Sequence, residues 1–418
     1  MNQGYNLADP RIMHIDLNSC FATVEQQARP LLRGKPVAIV NRRTDHTMII
    51  TCSYEAKAMG VKLGMRLKDA KKLCPELIGL ESDPPKYKYV YHQLMRIMQD
   101  YSAHVRMKSI DEGVIDFSES TQLLQSRSMA DIGHEIKQRL WDEIGVAMNC
   151  NVGIATNRFL AKTAAGLHKP NGLDVITHEN LREIYDGLDL EDLTGIASHN
   201  RARLESVGIL TPLDFLDADE ATLRKVVFKS VNGTYWHQRL RGWEVDKRDF
   251  PIKSAGRQFV LDGYKMPRAE VLKRLHHLCE ETGAKVRSQG LVARGVSVHA
   301  RSYSDEGRGW GGKYWHARSM SPTPFFSNQT IYEIAKKLFD DAPVFVKEIG
   351  VSCYELSEPD DSQLSLFGDQ LAQERAVTGI IDTVNTRYGK RVIHSADTLS
   401  TNTGMKEKIP FGSTRYMD

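Results

Sequence analysis

The apolar pattern of this chain changes character twice, and each change limits what the neighbouring stretch can become. Up to about residue 175, short β-branched or continuous apolar runs interleave with segments of helical spacing. From about 180 to 246 only short helical segments remain, and from 253 strand-like runs return. In the first region the runs 13–17, 36–40, 47–52 and 151–156 predict strands. Helical spacing predicts helices over 18–28, 53–60, 129–144 and 157–167, with Ser53 as an N-cap. The stretch 107–118 reads as two strands joined by a tight turn at 110–113, and Lys169-Pro170-Asn171-Gly172 is a strong turn signal. From 253 the order is strand 255–261, helix 267–289, strands 291–299 and 313–319, helix 327–340 and strand 346–354, the β-α-β-β-α-β order of ferredoxin-like modules. Helices against sheets in this mixture predict an α+β, multi-domain fold, and 418 residues suffice for two to four domains.

Composition narrows the classes. Hydrophobic residues make up 41% and charged residues 26%, an ordinary globular balance rather than a disordered or fibrous one. No stretch approaches the roughly 20 apolar residues that cross a bilayer, and the opening MNQGYNLADP lacks the basic and apolar parts of a signal peptide. The six cysteines (20, 52, 74, 150, 279 and 353) contain no C-x-x-C pair, which argues against a disulfide frame or metal-thiolate cluster. A cytoplasmic protein with no membrane partner is the expectation. The net charge is only +3, yet residues 229–318 hold 18 Lys and Arg against 9 Asp and Glu, a balance of +9. A basic segment on a slightly acidic remainder suits a polyanion-binding module, or a solvated basic surface.

Three carboxylates draw attention. Asp16 lies near the end of the first strand-like run, and Asp111 and Glu112 fall between two others. Consecutive residues of a strand face opposite ways, so the pair can share a site only at a strand end. If 110–113 is the hairpin turn, with Gly113 permitting its backbone angles, both carboxylates project to one edge. Three carboxylates on neighbouring strand ends form a hard oxygen site suited to Mg²⁺ with substrate phosphates. Taken alone, the acidic pair reads more readily as a solvated turn. Tyr54 and Lys57, three apart, share a helix face where a hydroxyl and an ammonium could cradle phosphate. Lys162 offers another cation after the 151–156 strand, although either lysine alone could be a surface residue.

The combination is more specific than its parts. HIDLNSCFATVE, TCSYEAKAMGVKLGM, SIDEGVIDF and GIATNRFLAKTAAGLHKPNG, in this order and spacing, resemble the Y-family, or translesion, DNA polymerases. The likeness runs from about 11 to 356. It implies that Asp16, Asp111 and Glu112, with the backbone carbonyl of Leu17, bind two Mg²⁺ ions in a palm domain. It implies that Phe21 lies against the incoming sugar and excludes ribonucleotides, with Cys20 under sugar and base. Tyr54, Lys57 and Lys162 match triphosphate-binding positions, joined by Thr51. The implied partners are primed template DNA and dNTPs, and the implied chemistry is nucleotidyl transfer to a primer 3′ end, error-prone because no proofreading domain fits in the chain.

Three positions depart from the family pattern. Lys57 stands where many members have arginine, and lysine cannot make the bidentate fork to phosphate. Asn18 stands where an acidic residue is common. In LTGIASHNRARLESVGI, which resembles a helix–hairpin–helix, Ala197 replaces the second glycine. The resemblance divides the chain into a palm at 1–40 and 80–175, small fingers at 41–79, a helical thumb at 176–247 and a little finger at 253–356. The basic, ferredoxin-like little finger implies phosphate contacts, with Lys253, Arg257, Arg294, Arg301 and Arg318 as candidates. After the acidic linker SEPDDS, the segment QLSLF resembles the bacterial sliding-clamp (beta subunit) binding peptide through Gln363, Leu364, Leu366 and Phe367. The tail to 418 has some likeness to the UmuC-type branch, and the choice between that and the DNA polymerase IV type stays open. A monomer is expected. The rivals are a non-catalytic, clamp-tethered mutagenesis accessory protein of the same fold, which would lose the metal carboxylates, and a two-metal nuclease or cyclase.

Overall fold

Residues 4–42, 44–247, 251–261, 265–303, 312–359 and 370–401 are described by the computed structural model of the chain. They fall into two units, one ending at residue 247 and the other starting at 251.

In the first unit the run IMHIDL forms strand β1 (Ile12–Leu17), whose residues are all buried except Asp16. A strand hidden on both faces needs strand neighbours on either side and helices above and below. The other strands are β2 (Val37–Val40), β3 (Ile49–Cys52), β4 (Ile78–Glu81), β5 (Val105–Met107), β6 (Glu112–Asp116), β7 (Cys150–Ala155) and β8 (Leu173–Val175). They make a sheet of order β5-β6-β1-β7-β8 and a small sheet of order β3-β2-β4. β1 is antiparallel to both β6 and β7, and β8 adds parallel to β7. The small sheet includes β2, so it starts before the boundary at residue 40. Its alternation explains this: Val37 and Ile39 face the core of the large sheet, Ala38 and Val40 that of the small one.

Period-two alternation along β1 assigns its residues to two cores. Met13, Ile15 and Leu17 pack with Leu94 and Ile97 of the helix Pro84–Gln99 and with Ile132 and Ile136 of the helix Met129–Glu143. Ile12 packs on the opposite side, with Phe159, Leu160 and Ala164 of the helix Arg158–Leu167. His14 and Asp16 share that second side by parity. The helix lies unusually close to β7 there. A Cβ on Gly153 would stand 2.0 Å from the Ala161 carbonyl oxygen and 2.3 Å from the Ala165 nitrogen, so only glycine admits the helix. Beyond it, residues 181–240 form the short helices Leu181–Asp186, Ser198–Glu205, Pro212–Asp217, Glu220–Thr222 and Asn232–Leu240. No strand occurs among the described residues from 176 to 247, in line with the change of pattern in the sequence.

The second unit runs β9 (Ser254–Val260), helix Arg268–Arg287, β10 (Val292–Ser302), β11 (Tyr314–Phe325), helix Asn328–Phe339 and β12 (Val346–Ser357). The element order is the expected β-α-β-β-α-β, but the sheet order is β11-β10-β12-β9, with every neighbouring pair antiparallel. The central strands are thus the second and fourth, whereas a ferredoxin-like sheet has its first and third strands in the centre. The ferredoxin-like order is found instead in the first unit, where β5-β6-β1-β7 are the second, third, first and fourth strands. Both topologies separate crossover-linked strands by one strand and keep all neighbours antiparallel, so a list of elements cannot distinguish them.

A helix, Gln370–Tyr388, and a turn of 3₁₀ helix, Ala396–Thr401, follow in the same unit. They are fastened to the helix Arg268–Arg287 by polar contacts. Arg287 donates to Asp382 at 2.6 and 2.9 Å, His276 Nδ1 lies 2.8 Å from Asp397, and His277 Nδ1 lies 2.6 Å from Thr401 Oγ1. Buried Glu280 receives Arg391, the Ser395 N–H at 2.8 Å and Thr398 Oγ1 at 3.2 Å. Removing one partner of a buried ion pair leaves the other charge desolvated and uncompensated. Arg391→Met is therefore expected to destabilise this unit by about 3 kcal/mol, read as a lowered urea midpoint of the full chain; an unchanged midpoint would show that Glu280 does not depend on Arg391.

Candidate active site

Register brings the carboxylates together. Asp16 on β1 is opposite Glu112 on β6 and opposite Asn151 on β7. The Leu17 N–H donates to the Asp111 carbonyl at 2.8 Å, which carries the β1–β6 pairing one residue past the strand. The connection between β5 and β6 is residues 108–111, not 110–113. Asp111 is thus the last loop residue and Glu112 the first strand residue, so the two escape the alternation of a strand. Gly113 does not serve the turn. It lies inside β6, where a Cβ would come within 2.7 Å of Met107 Sδ and 2.8 Å of Met98 Cε.

Each carboxylate is neutralised differently. Glu112 receives Lys162 Nζ at 2.8 and 2.6 Å and His14 Nε2 at 3.1 Å. Burial works against its charge, yet the hydrogen bonds and charges of His14 and Lys162 prevail and hold its pKa at about 2. His14 is itself buried, with Nδ1 unpartnered; the bond to the carboxylate therefore requires its proton on Nε2. Asp111 has the Ser109 hydroxyl as donor. Burial raises its pKa, the Ser109 bond opposes this, and the nearby Asp16 and Glu112 charges raise it further. Asp16 is paired with Lys169 Nζ at 2.5 Å. Among the described residues no three His, Cys, Asp or Glu side chains are gathered as a ready metal cage; two of the carboxylates here are turned onto lysines. The donor set is one of hard oxygens, and that fits a divalent cation such as Mg²⁺.

Beside Asp111 opens a cavity of about 530 Å³ whose lining includes Cys20, Phe21, Thr51 and Lys57. Cys20 and Phe21 begin the helix Cys20–Ala28, directly after β1. The buried Phe21 ring stacks on Tyr87, centroids 4.4 Å apart and planes 14° from parallel, while Tyr87 donates to Glu25 at 3.3 Å. Phe21 therefore has one face locked in the core while its ring helps to wall the cavity. Burial, with Asp111 and Asp16 nearby, raises the pKa of the Cys20 thiol well above its usual value. Tyr54 opens the helix Tyr54–Ala58, capped as expected by Ser53, whose Oγ accepts from the Ala56 N–H at 3.4 Å. Lys57 Nζ sits 4.4 Å from the centre of the Tyr54 ring. Lys162, on the helix Arg158–Leu167, is turned to Glu112 rather than to this cavity.

The sequence treated Lys169 only as a turn residue and His14 as part of a strand. Strand parity could have found His14, two residues before Asp16. Asn18 also gains a role. Its Oδ1 accepts from the Asn171 N–H at 2.8 Å and its Nδ2 donates to Asn151 Oδ1 at 2.8 Å, while Asn151 Nδ2 donates to the His168 carbonyl at 3.0 Å. Only an amide both donates and accepts in this way, and a carboxylate at 18 would lose the donor.

In the second unit Val296, Val298 and Ala300 face the helices, so Ser297, His299 and Arg301 lie on the opposite, open face of the sheet. Arg318 is opposite Ser297 and shares that face. Lys253 and Arg294 are exposed, with Arg294 donating to the Pro322 carbonyl at 2.5 Å. Arg257 departs from expectation. It has the parity of the buried Ala255 and Phe259, faces the helices, and stands 3.7 Å from Glu281 of the helix Arg268–Arg287. The segment with Gln363, Leu364, Leu366 and Phe367 lies outside the described residues. Among those residues, no helix is long and apolar enough to cross a membrane.

Two models of one family match the chain, the impB/mucB/samB family over residues 15–166 and the impB/mucB/samB family C-terminal domain over 253–366. The chain is 28% identical to DNA polymerase IV 1 of Bacillus subtilis over 422 residues, covering 97% of each chain. It is also 28% identical to DNA polymerase IV of Staphylococcus epidermidis over 365 residues, covering 86% of this chain and 99% of that one. Among solved structures, a Y-family DNA polymerase chimera superposes with a TM-score of 0.69 at 22% identity, covering 83% of this chain and 99% of the other, a likeness of fold. Sequence motifs, family models, full-length relatives and fold agree that the chain belongs to the Y-family DNA polymerases, of the DNA polymerase IV type.

Proposed function

We propose that this DNA-directed DNA polymerase extends a primer by two-metal nucleotidyl transfer, with Asp16, Asp111, Glu112 and the Leu17 carbonyl as the metal ligands. The observation that carries the reading is the β1–β6 register, which delivers three carboxylates to one strand end beside a cavity walled by Phe21. Two Mg²⁺ ions there would activate the primer 3′-hydroxyl and offset the charge of the departing pyrophosphate. The chain's own contribution is position and charge. Burial and the neighbouring carboxylates raise the pKa of Asp111, and a cation there would offset the cost of its charge. Thr51, Tyr54 and Lys57 line the path of a triphosphate, and Lys162 joins them when it leaves Glu112. Cys20 lies beneath the sugar and base. Phe21, immobilised by Tyr87, fills the volume that a ribose 2′-hydroxyl would need.

In this reading the sheet around β1 belongs to the palm (1–40 and 80–175), 41–79 with part of the small sheet is the fingers, 176–247 the thumb and 253–356 the little finger. Lys253, Arg294, Arg301 and Arg318 contact template and primer phosphates, which positions the duplex without reading bases. Gln363, Leu364, Leu366 and Phe367 recruit the sliding clamp to a monomeric, cytoplasmic enzyme that copies damaged templates with low fidelity.

Primer extension with Mg²⁺ and four dNTPs tests the metal site: Asp111→Ala/Glu112→Ala should fall to background while still binding primed DNA. Extension equal to that of the unaltered chain would mean that these carboxylates hold no catalytic metal. Phe21→Ala should lower discrimination against ribonucleotides by about 100-fold, the scale set by filling or emptying one pocket volume; undiminished discrimination would remove Phe21 from that role. Deleting 363–367 should abolish stimulation by the clamp, and stimulation that persists would place the contact elsewhere.

A further inference from the structure

Glu25 is a carboxylate that the reaction above does not use, buried to 1% exposure on the helix Cys20–Ala28. It lies four residues after Phe21, on the same face of that helix. Two of its partners come from the helix Pro84–Gln99. Lys86 Nζ donates to its two oxygens at 3.4 and 3.2 Å, and the Tyr87 hydroxyl donates to Oε1 at 3.3 Å. Arg29 Nη2 stands 3.7 Å from Oε2. Tyr87 is fully buried, and burial above all raises its pKa, so the hydroxyl keeps the proton it donates. The tip of Tyr87 thus meets Glu25 while its ring stacks on Phe21, with centroids 4.4 Å apart. The helix backbone has anchors of its own. From the next residue, Gln26 Nε2 donates to Glu55 at 3.2 Å and to the carbonyls of Leu32 and Lys35 at 3.3 Å each.

We propose that Glu25 is a positioning residue for sugar selection, which acts through Tyr87 to fix the plane of the Phe21 ring against the cavity. This rests on Phe21 being the residue that excludes the ribose 2′-hydroxyl. The volume at stake is one oxygen, so a ring excludes it only while it cannot tilt. Phe21 cannot tilt toward Tyr87 while Tyr87 stays in place, and the bond from its hydroxyl to Glu25 stops Tyr87 from swinging aside. An apolar side chain at 25 would pack between the two helices without the cost of a buried charge. What it could not do is hold the Tyr87 hydroxyl, and with it the ring that backs Phe21.

Single-nucleotide insertion by the full chain, with a dNTP and with the matching rNTP, tests this. Tyr87→Phe keeps the stacked ring and removes only the hydroxyl; Glu25→Leu keeps much of the volume and removes the acceptor. Each should lower the ratio of kcat/KM for dNTP to that for rNTP about tenfold, the worth of one hydrogen bond to a charged group, through a gain in rNTP use. Glu25→Gln, whose amide oxygen still accepts from Tyr87, should keep the ratio near that of the unaltered chain; a loss as large as in Glu25→Leu would mean that this hydrogen bond is not the route. A merely structural role would slow both nucleotides alike and leave the ratio where it was, and that result in Tyr87→Phe overturns the proposal. In a Phe21→Ala background, Tyr87→Phe should bring no further loss of discrimination, because the ring through which it acts is gone. An additive loss there overturns the coupling. If Phe21→Ala by itself leaves discrimination intact, the sugar-gate reading fails; if it lowers discrimination while Tyr87→Phe and Glu25→Leu do not, the role of Glu25 alone fails.

Discussion

Three carboxylates at one strand end repel one another, and the groups that neutralise them account for much of the surrounding architecture. Glu112 needs Lys162, which can reach it only if the helix Arg158–Leu167 lies directly on the sheet; that approach in turn requires Gly153 to have no side chain. Asp16 needs Lys169, held on a turn strapped to β1 and β7 by Asn18 and Asn151. For Asp111, burial and the neighbouring carboxylates outweigh the Ser109 hydroxyl, so its pKa rises where that of Glu112 falls. The signs have opposite consequences for stability. Glu112, held at about 2, stabilises the fold above the ordinary glutamate range, and this is lost as pH falls toward 2. Asp111, with a raised pKa, contributes stability below its unfolded value that is lost as pH rises through its folded one.

The same strand that carries this charge is also the centre of the core. Met13, Ile15 and Leu17 anchor β1 in one apolar layer, and alternation then forces His14 and Asp16 to the other side. Polar residues on the inner strand of a sheet are costly unless partnered. Here the partners are Glu112 for His14 and Lys169 for Asp16, both supplied by elements that the fold needs in any case. Asp16 and Glu112 take their rigidity from paired strands, and Asp111, on the loop beside them, is tied to β1 through the Leu17 N–H.

Much of this was legible. Four motifs in order pointed to Asp16, Asp111, Glu112 and Phe21, and the strand and helix positions around them match the structure within a few residues. What was not legible has physical reasons. Turn signals mark Lys169 as a bend but do not say which carboxylate its ammonium meets 153 positions away in sequence. Gly113 looked like a turn glycine because its close neighbours, Met98 and Met107, are brought there by the fold. In the stretch 84–99, KYKYVY alternates as a strand would. The helix forms there because Tyr87, Val90, Tyr91, Leu94, Ile97 and Met98 bury one face at spacings of three and four. Arg257 was taken for its charge although Ala255 and Phe259 on the same parity mark that face as covered. The docking of 370–401 depends on charge pairs such as Arg287–Asp382, which no local pattern announces.

The lysine at position 57 becomes intelligible in the same terms. An arginine there would grip phosphate with a fork, but it would also carry a permanent, delocalised charge beside Lys169. Burial above all, and then the Lys169 charge, disfavour Lys57 as a cation, and Cys52 and Asp16 only partly compensate. A compact ammonium over the Tyr54 ring keeps the charge 4.4 Å from an electron-rich face that tolerates it.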